Sequence, residues 1–300
     1  MGLISEEMRM IGIVILNYKN YSVTERCVES IFATYTQPLR VVIVDNGSPN
    51  DSVVHLKEKY GIDDRVEIIA IPRNIGFAAG NNVGIKRCKE LRFAECILTN
   101  SDIIFKMHAI ENLISTLRSL NDAVIVGPKI LRPDGTLNAS STLSPARVID
   151  VLEIGRFFPI KRLDEKTATR ATEVYTVSGC CFAINVDRFL SINAFDEKTF
   201  LYNEENILGI QVSQSNFTSY FDPTAIVIHA HGASSGKRNT FTCKEYIRST
   251  IYYWKYYRSA NSWFLRTIIC VYILKLRIIR KREGIELNLR EIREAGCSEL

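Results

Sequence analysis

Residues 94–105, AECILTNSDIIF, begin as an apolar run at Cys96-Ile97-Leu98, turn polar over Thr99-Asn100-Ser101-Asp102, and become apolar again at Ile103-Ile104-Phe105. A short apolar run ending in small polar residues and a carboxylate suits the carboxyl end of a buried parallel strand, where open α/β sheets gather ligands. Asp102 is a candidate ligand for a hard divalent cation, and Asn100, two positions earlier, projects to the same side. The plainer reading of Asn-Ser-Asp is a turn between two strands, because these residues are ordinary turn formers.

The preceding sequence supplies the context. Residues 11–16 form a continuous apolar strand ending in Asn17-Tyr18. Residues 24–36 carry Cys27, Val28, Ile31 and Phe32 at helical spacing, with Ser22 or Thr24 as the cap. A second strand over 40–44 closes at Asp45-Asn46-Gly47-Ser48, a short helix spans 52–60, and a third strand covers 66–71. After a turn at Pro72-Arg73-Asn74-Ile75-Gly76, a helix with Phe77, Ala78, Asn81, Val83, Ile85 and Cys88 leads into 94–105. This βαβαβαβ order with short loops predicts a parallel sheet covered by helices on both faces. Three strands then end in polar tips, and on one edge these make a crevice with two carboxylates and several amides. No G-x-G-x-x-G follows the first strand and no G-x-x-x-x-G-K-[ST] occurs, which disfavours an ordinary dehydrogenase and a P-loop nucleotidase. A sugar nucleotidyltransferase would show a Gly-rich basic loop after the first strand, and Asn17-Tyr18-Lys19 is not one.

VVIVDNGSPNDS (41–52), RNIGFAAGNNVGI (73–85) and LTNSDIIF (98–105) resemble the nucleotide-sugar half of the family 2 glycosyltransferases, nearest to the branch with bacterial rhamnosyltransferases. The likeness continues in order through LRPDGTLNASS (131–141), VSGCCFAINVDRF (177–189), INAFDEKTFLYNEEN (192–206) and FDPTAIVIHAHGASSG (221–236). The resemblance covers roughly residues 10 to 240 and implies an α/β GT-A fold, a Rossmann-like mixed sheet flanked by helices. Residues 1–240 would form that domain and 241–300 a basic, amphipathic helical region.

The resemblance also implies roles. Asn17, Asp45, Arg73, Asn74, Gly76, Asn81, Asn100, Ser101 and Asp102 would bind a nucleoside-diphosphate sugar. Asp45 would take the base or ribose, as a carboxylate suits an imide N–H or a ribose hydroxyl; by itself it also reads as a helix cap or turn residue. Gly76 would allow close backbone approach to the ligand. Of Asn81 and Asn82, one would face the cleft and the other be solvated. Asp102 matches the last carboxylate of the family's D-x-D motif and would bind Mg2+ or Mn2+ on the donor's phosphates. Asn100 replaces the first. His229 would add a metal or phosphate contact, with His231 on the same strand face as second choice, while Ser234, Ser235 and Lys237 would cover the diphosphate.

FLYNEEN aligns with the family's F-x-Y-x-E-D segment, making Glu205 the catalytic base of an inverting transferase and Glu204 its neighbour; the plainer reading is a capping pair at a helix N-terminus. Ile207 and Gln211 stand where relatives often have Asp and Arg. These departures keep open a non-catalytic nucleotide-sugar-binding homologue that serves as a partner subunit. Asp134-Gly135 reads as a hairpin turn, and the family places the acceptor near Asn138. Residues 140–170 have poor periodicity and read as a variable acceptor loop.

The 300 residues are 46% hydrophobic, with a formal charge of +5. The eight cysteines lack any CxxC pair and read as reduced core thiols of a cytosolic protein, not a zinc site. MGLISEEMRM has no apolar core of a signal peptide. From Lys244 the chain changes character. YIRSTIYYWKYYRS (246–259) and WFLRTIICVYILKLRIIRKR (263–282) interleave aromatics and aliphatics with Arg and Lys. The run from Thr267 to Leu274 falls far short of the ~20 residues that span a bilayer. Two amphipathic helices are expected, either packed on the catalytic domain with solvated basic faces or bound through 244–282 to an anionic membrane surface. No recognition module accompanies the charge, so nucleic acid is not expected as a partner. The function expected is transfer of sugar from a nucleoside-diphosphate sugar to a glycan or lipid-linked acceptor for surface polysaccharide. The place expected is the cytoplasmic side, at the inner face of the cell membrane.

Overall fold

The computed structural model describes residues 10–147, 161–230 and 239–300. Strand β1 (Ile11–Asn17) lies between β2 (Leu39–Asp45) and β4 (Glu95–Asn100), parallel to both, and β2 pairs parallel with β3 (Val66–Ala70). Helices α1 (Tyr21–Thr34), α2 (Ser52–Tyr60) and α3 (Phe77–Glu90) connect them. Alternation along the strands assigns their faces. Ile11, Ile13 and Ile15 with Val41 and Ile43 pack beside Cys27, Ile31 and Leu56, whereas Val14, Val42 and Val44 pack beside Ile85 and Phe182. Helix α1 starts three residues before the predicted 24, so Ser22 and Thr24 lie inside it and neither caps it.

Beyond β4 the sheet departs from the purely parallel expectation. After the short β5 (Ile103–Phe105) and α4 (Ala109–Ser119) come β6 (Ala123–Leu131), β7 (Thr172–Val174), β8 (Cys181–Asn185), α5 (Val186–Ser191), α6 (Glu204–Ser213) and β9 (Thr218–His229). The order is β3-β2-β1-β4-β8-β6-β9-β5, with β7 also on β9; β8 runs antiparallel to β4 and β6, while β9 runs parallel to β6. This is the mixed sheet implied by the family resemblance. Apolar alternation fixes which face a strand buries but carries no record of its direction, so the βαβ pattern gave no sign of the change. The outer edge of β9 is covered by β7 at Ser219–Phe221 and by β5 at Val227–His229, with Pro223 in the stretch between.

The predicted turn at Asp134-Gly135 is present: Leu131 bridges Leu137, and Gly135 has φ +81°. The C-terminal region forms α7 (Thr240–Tyr252), a π-helical turn (Tyr253–Tyr257), α8 (Ser262–Glu283) and α9 (Leu289–Cys297). These build a third core in which Ile247, Ile251, Trp254, Ile268 and Ile292 enclose Ile207 and Ile210 of α6. Burying each such isoleucine is worth about 1.5–3 kcal/mol, so packing holds the tail on the sheet domain while Arg266, Arg277 and Lys281 stay exposed. All eight cysteines are free; six are buried, but Cys270 and Cys297 are exposed, not core thiols as expected.

Candidate active site

The parallel register brings the strand tips together: Asn17 lies opposite Asp45, and Leu16 opposite Asn100. The tips of β2 and β4 are two strand spacings apart, about 10 Å. Asp45 is buried, and its carboxylate accepts from Asn17 Nδ2 (2.6 Å), Ser48 N (2.9 Å) and Ser48 Oγ (2.7 Å). Asn17 has both ends of its amide engaged, since its Oδ1 accepts from Thr24 Oγ1 at 2.7 Å; it orients Asp45 from behind. Arg73 is exposed on the loop above.

That loop is clipped by Asn46, a residue the sequence reading treated only as part of a strand end. Its Nδ2 donates to Asn74 Oδ1 and to Gly76 O, and its Oδ1 accepts from Ile75 N. Asn74 Oδ1 also accepts from Gly76 N. Gly76 has φ +94°, and a Cβ there would lie 2.7 Å from the carbonyl oxygen of Phe200. Gly76 thus lies in close approach to the chain's own backbone at Phe200. Asn81 and Asn82 are both buried: Asn81 Nδ2 donates to Phe77 O, while Asn82 binds Phe195 and Glu197. Neither is solvated, which corrects the expectation for this pair.

Ser101 and Asp102 are buried at the turn between β4 and β5, and Asn100 is partly buried. Pairing of β5 with β9 sets Ile103 opposite His229, and Ala230 N donates to Asp102 O at 2.9 Å. The register therefore carries His229 to Asp102 across 127 residues of sequence (229 − 102). His229 Nε2 stands 3.1 Å from Asp102 Oδ1. They pair as ions, but the oxygen is buried and accepts no aligned hydrogen bond among the described residues. Burial favours a neutral His229 ring, but Asp102 and the Cys180 sulfur outweigh it and push its pKa up to about 10. A buried carboxylate oxygen without an aligned hydrogen bond, beside an imidazole that would release its proton on coordination, is a donor pair that a divalent cation can use. Among the described residues no third His, Cys, Asp or Glu joins them, so further ligands would have to come from phosphate and water. His231, Ser234, Ser235 and Lys237 lie outside the described residues.

Cys180 connects this pair to the acidic segment. Asn100 N donates to Cys180 O, and the adjacent Gly179 N donates to Glu205 Oε1 at 3.0 Å. A Cβ on residue 179 would lie 2.6 Å from that same oxygen, so glycine is what lets the carboxylate sit there. Glu204 and Glu205 occupy the first turn of α6, as the capping reading anticipated, after two left-handed residues, Tyr202 (φ +76°) and Asn203 (φ +68°). Left-handed backbone at non-glycine residues costs energy and persists only where the surroundings impose it. The two carboxylates differ. Glu205 is partly exposed, whereas Glu204 is buried with an Oε1 that has no partner among the described residues. Burial, and secondarily the Glu205 charge, push the pKa of Glu204 up to about 8.

The surroundings that impose this loop come from the tail. Tyr252 and Tyr257 hydroxyls both donate to Asp196 Oδ2 at 2.7 Å, Ser249 Oγ donates to Leu201 O at 2.6 Å, and Asn203 Nδ2 donates to Thr250 Oγ1 at 3.3 Å. No local signal marked Asp196 for this role: Lys198 N donates to its Oδ1 as in an ordinary turn, whereas the two tyrosines lie more than fifty residues away. On the expected acceptor side, Arg132 donates to Asn138 Oδ1, and buried Glu165 Oε1 accepts from Ser140 N and Ser141 N. Residues 148–160 of the expected acceptor loop lie outside the described residues.

The family Glycosyl transferase family 2 matches residues 12–190. An N-acetylglucosaminyl-diphospho-decaprenol L-rhamnosyltransferase of Mycobacterium tuberculosis is 23% identical over 243 residues, 76% of this chain and 78% of that protein. An N-acetylglucosaminyltransferase of Azorhizobium caulinodans is 29% identical over 117 residues, 38% of this chain and 28% of its own length. Among solved structures, GalNAc-T7 with UDP, GalNAc and Mn2+ is similar with a TM-score of 0.65 at 16% identity, covering 97% of this chain; the match spans 57% of that protein's chain. A mannosyltransferase from Pyrobaculum calidifontis in complex with GDP-Man and Mn2+ gives a TM-score of 0.56 at 10% identity, covering 96% and 79% of the two chains. The shared fold is GT-A.

Proposed function

As the chain belongs to glycosyltransferase family 2, we propose that it is an inverting, metal-dependent transferase that moves a sugar from a nucleoside-diphosphate sugar to a hydroxyl of a glycan or lipid-linked acceptor. The observation that carries this reading is the convergence at one sheet edge of two carboxylate centres with different surroundings. One is the buried Asp102 with His229; the other is Glu205, fixed by Gly179 N. Asp45 supports the reading as a nucleoside site two strands away, held rigid by Asn17 and Ser48.

Asp102 and His229 would hold Mg2+ or Mn2+, whose chemistry there is to neutralise charge on the departing diphosphate. The chain's own residues do the rest. Glu205 accepts the proton of the acceptor hydroxyl while that oxygen forms its bond to the anomeric carbon. The bond from that carbon to the diphosphate oxygen breaks on the opposite face, and the diphosphate leaves with the electron pair. Glu204, neutral at neutral pH, places no second negative charge beside Glu205. Residues 1–240 are read as the catalytic unit and 241–300 as a helical region that braces its loop and meets an anionic membrane surface through 244–282. This suits surface polysaccharide synthesis at the cytoplasmic face of the membrane.

One observation favours the non-catalytic alternative: Ile207 is packed in the third core, and Gln211 Oε1 is buried without a partner among the described residues, so neither supplies charge to the segment. A screen of nucleoside-diphosphate sugars with Mg2+ or Mn2+, following nucleotide release with and without acceptor, tests both. Metal-dependent release with at least one donor is expected. Donor binding without any release would replace the transferase with the binding subunit.

A further inference from the structure

A cavity of about 450 Å3 lies outside the crevice, between α7 and α8. Ile247, Ile268, Val271 and Ile279 wall it, and its lining contains two cations, Lys275 and Arg282, and among the described residues no carboxylate. The volume is within the ~300–1,000 Å3 of ligand sites, which are mostly apolar with a few polar groups. Burial lowers the pKa of Lys275, so its amine sits in surroundings where an anion would gain more from it than at an open surface.

Position ties this cavity to the acidic segment. Tyr246 on its wall meets the Tyr202 ring edge-on at 5.7 Å, and Thr250 accepts from Asn203. Tyr202 and Asn203 immediately precede Glu204 and Glu205. The opposite rim opens outward. Leu274 and Ile278 line the cavity yet are 55% and 59% exposed, and Trp263 continues their stripe along α8 at 76%. Exposed Arg266, Arg277 and Lys281 flank that stripe. An apolar rim bordered by cations lets a hydrocarbon chain pass from an anionic lipid surface into the cavity without crossing water.

We infer that this groove binds the hydrocarbon chain of a lipid-phosphate-linked acceptor, with its lining cations on the phosphate, and so presents the attached sugar to Glu205. The inference rests on the transferase reading above for its choice of occupant. Its test uses the full chain and geranylgeranyl diphosphate as probe, with binding followed by calorimetry in detergent. Binding is expected, weakened at least tenfold by Val271→Trp, which fills the cavity, and by Lys275→Glu, which reverses a lining charge. Geranylgeraniol, which lacks the phosphates, should bind at least tenfold more weakly. Lys275 is only partly buried, so its charge reversal reports on the site even if Val271→Trp fails to fold.

No binding, binding indifferent to Lys275→Glu, or equal affinity for the alcohol overturns the inference. Complete displacement of the probe by phosphatidylglycerol vesicles gives the groove to bulk lipid, and a dimer lost in Lys275→Glu gives it to a second copy; either result overturns it as well. The probe needs no turnover. Intact probe binding without sugar transfer from any donor would therefore sink the transferase reading alone, and transfer without probe binding would sink the groove alone.

Discussion

Replacing Glu204 by Gln should change how the stability of the protein depends on pH. In the fold this carboxyl is buried beside Glu205 and titrates near 8, while in the unfolded chain it has the ordinary value near 4.5. Between those values the folded state holds a proton that the unfolded state has released, so stability is fully present below pH 4.5 and falls as pH rises towards 8. Each pH unit in that window costs about 1.4 kcal/mol, so raising the pH from 5 to 7.5 costs roughly 3 kcal/mol through this one group. Spread over the unfolding entropy of a chain of 300 residues, that is about 5 °C in Tm. Glutamine keeps the shape and removes the titration. Thermal melts of parent and Glu204→Gln at pH 5 and 7.5 should show the variant gaining about 5 °C on the parent across the interval. Glu205→Gln, which removes the neighbouring charge, should shrink the parent's slope. Parallel pH dependence in parent and Glu204→Gln would show that Glu204 is ionised in the fold and refute the reasoning.

Asp102→Asn should weaken Mn2+-dependent donor binding at least tenfold with Tm little changed; calorimetry with unaltered affinity and metal dependence would remove Asp102 from the site. Glu205→Gln should lower sugar transfer by ~100-fold or more while donor binding stays. Gly179→Ala, which crowds Glu205 Oε1, should also lower kcat; normal transfer by Glu205→Gln together with its loss in Glu204→Gln would reverse the roles of the two carboxylates. The full chain should sediment with anionic vesicles and be released as salt rises, because attraction between exposed charges is screened; equal sedimentation with neutral vesicles would argue against an electrostatic surface.

Much of the first half of the sheet and of the candidate site at its strand tips was legible because its signals are local. Helix α2 occupies the predicted residues, and β1, β2 and β3 differ from their predicted ends by a residue or so. The polar tips of β1, β2 and β4 converge as expected because parallel neighbours in register share their carboxyl ends. What sequence could not supply depends on contacts between distant segments. His229 was singled out by resemblance, but its approach to Asp102 follows from the pairing of β5 with β9. Glu204 and Glu205 are chemically identical on paper and are separated only by which of them α6 buries. At Gly76 the tight contact with Phe200 joins segments more than a hundred residues apart, which no local signal announces. The tail's apolar and basic periodicity fits packing and membrane contact equally; the third core shows the packing, which leaves the exposed face of α8 free for the other.

The division of the outer edge of β9 has a further consequence. A strand of twelve residues with an open edge is a template on which a second chain can pair. Here β7 covers one end of that edge, Pro223 interrupts the middle, and only the three residues of β5 cover the apolar end. Because β5 begins immediately after Asp102, the turn proposed to meet the donor's phosphates also closes the sheet against aggregation. Substitutions in Asn100-Ser101-Asp102 that loosen this turn would uncover Val227 and Ile228, and their first symptom would be insoluble protein in the cell. Screens for variants with altered donor preference at this turn will therefore be limited by solubility before they are limited by chemistry.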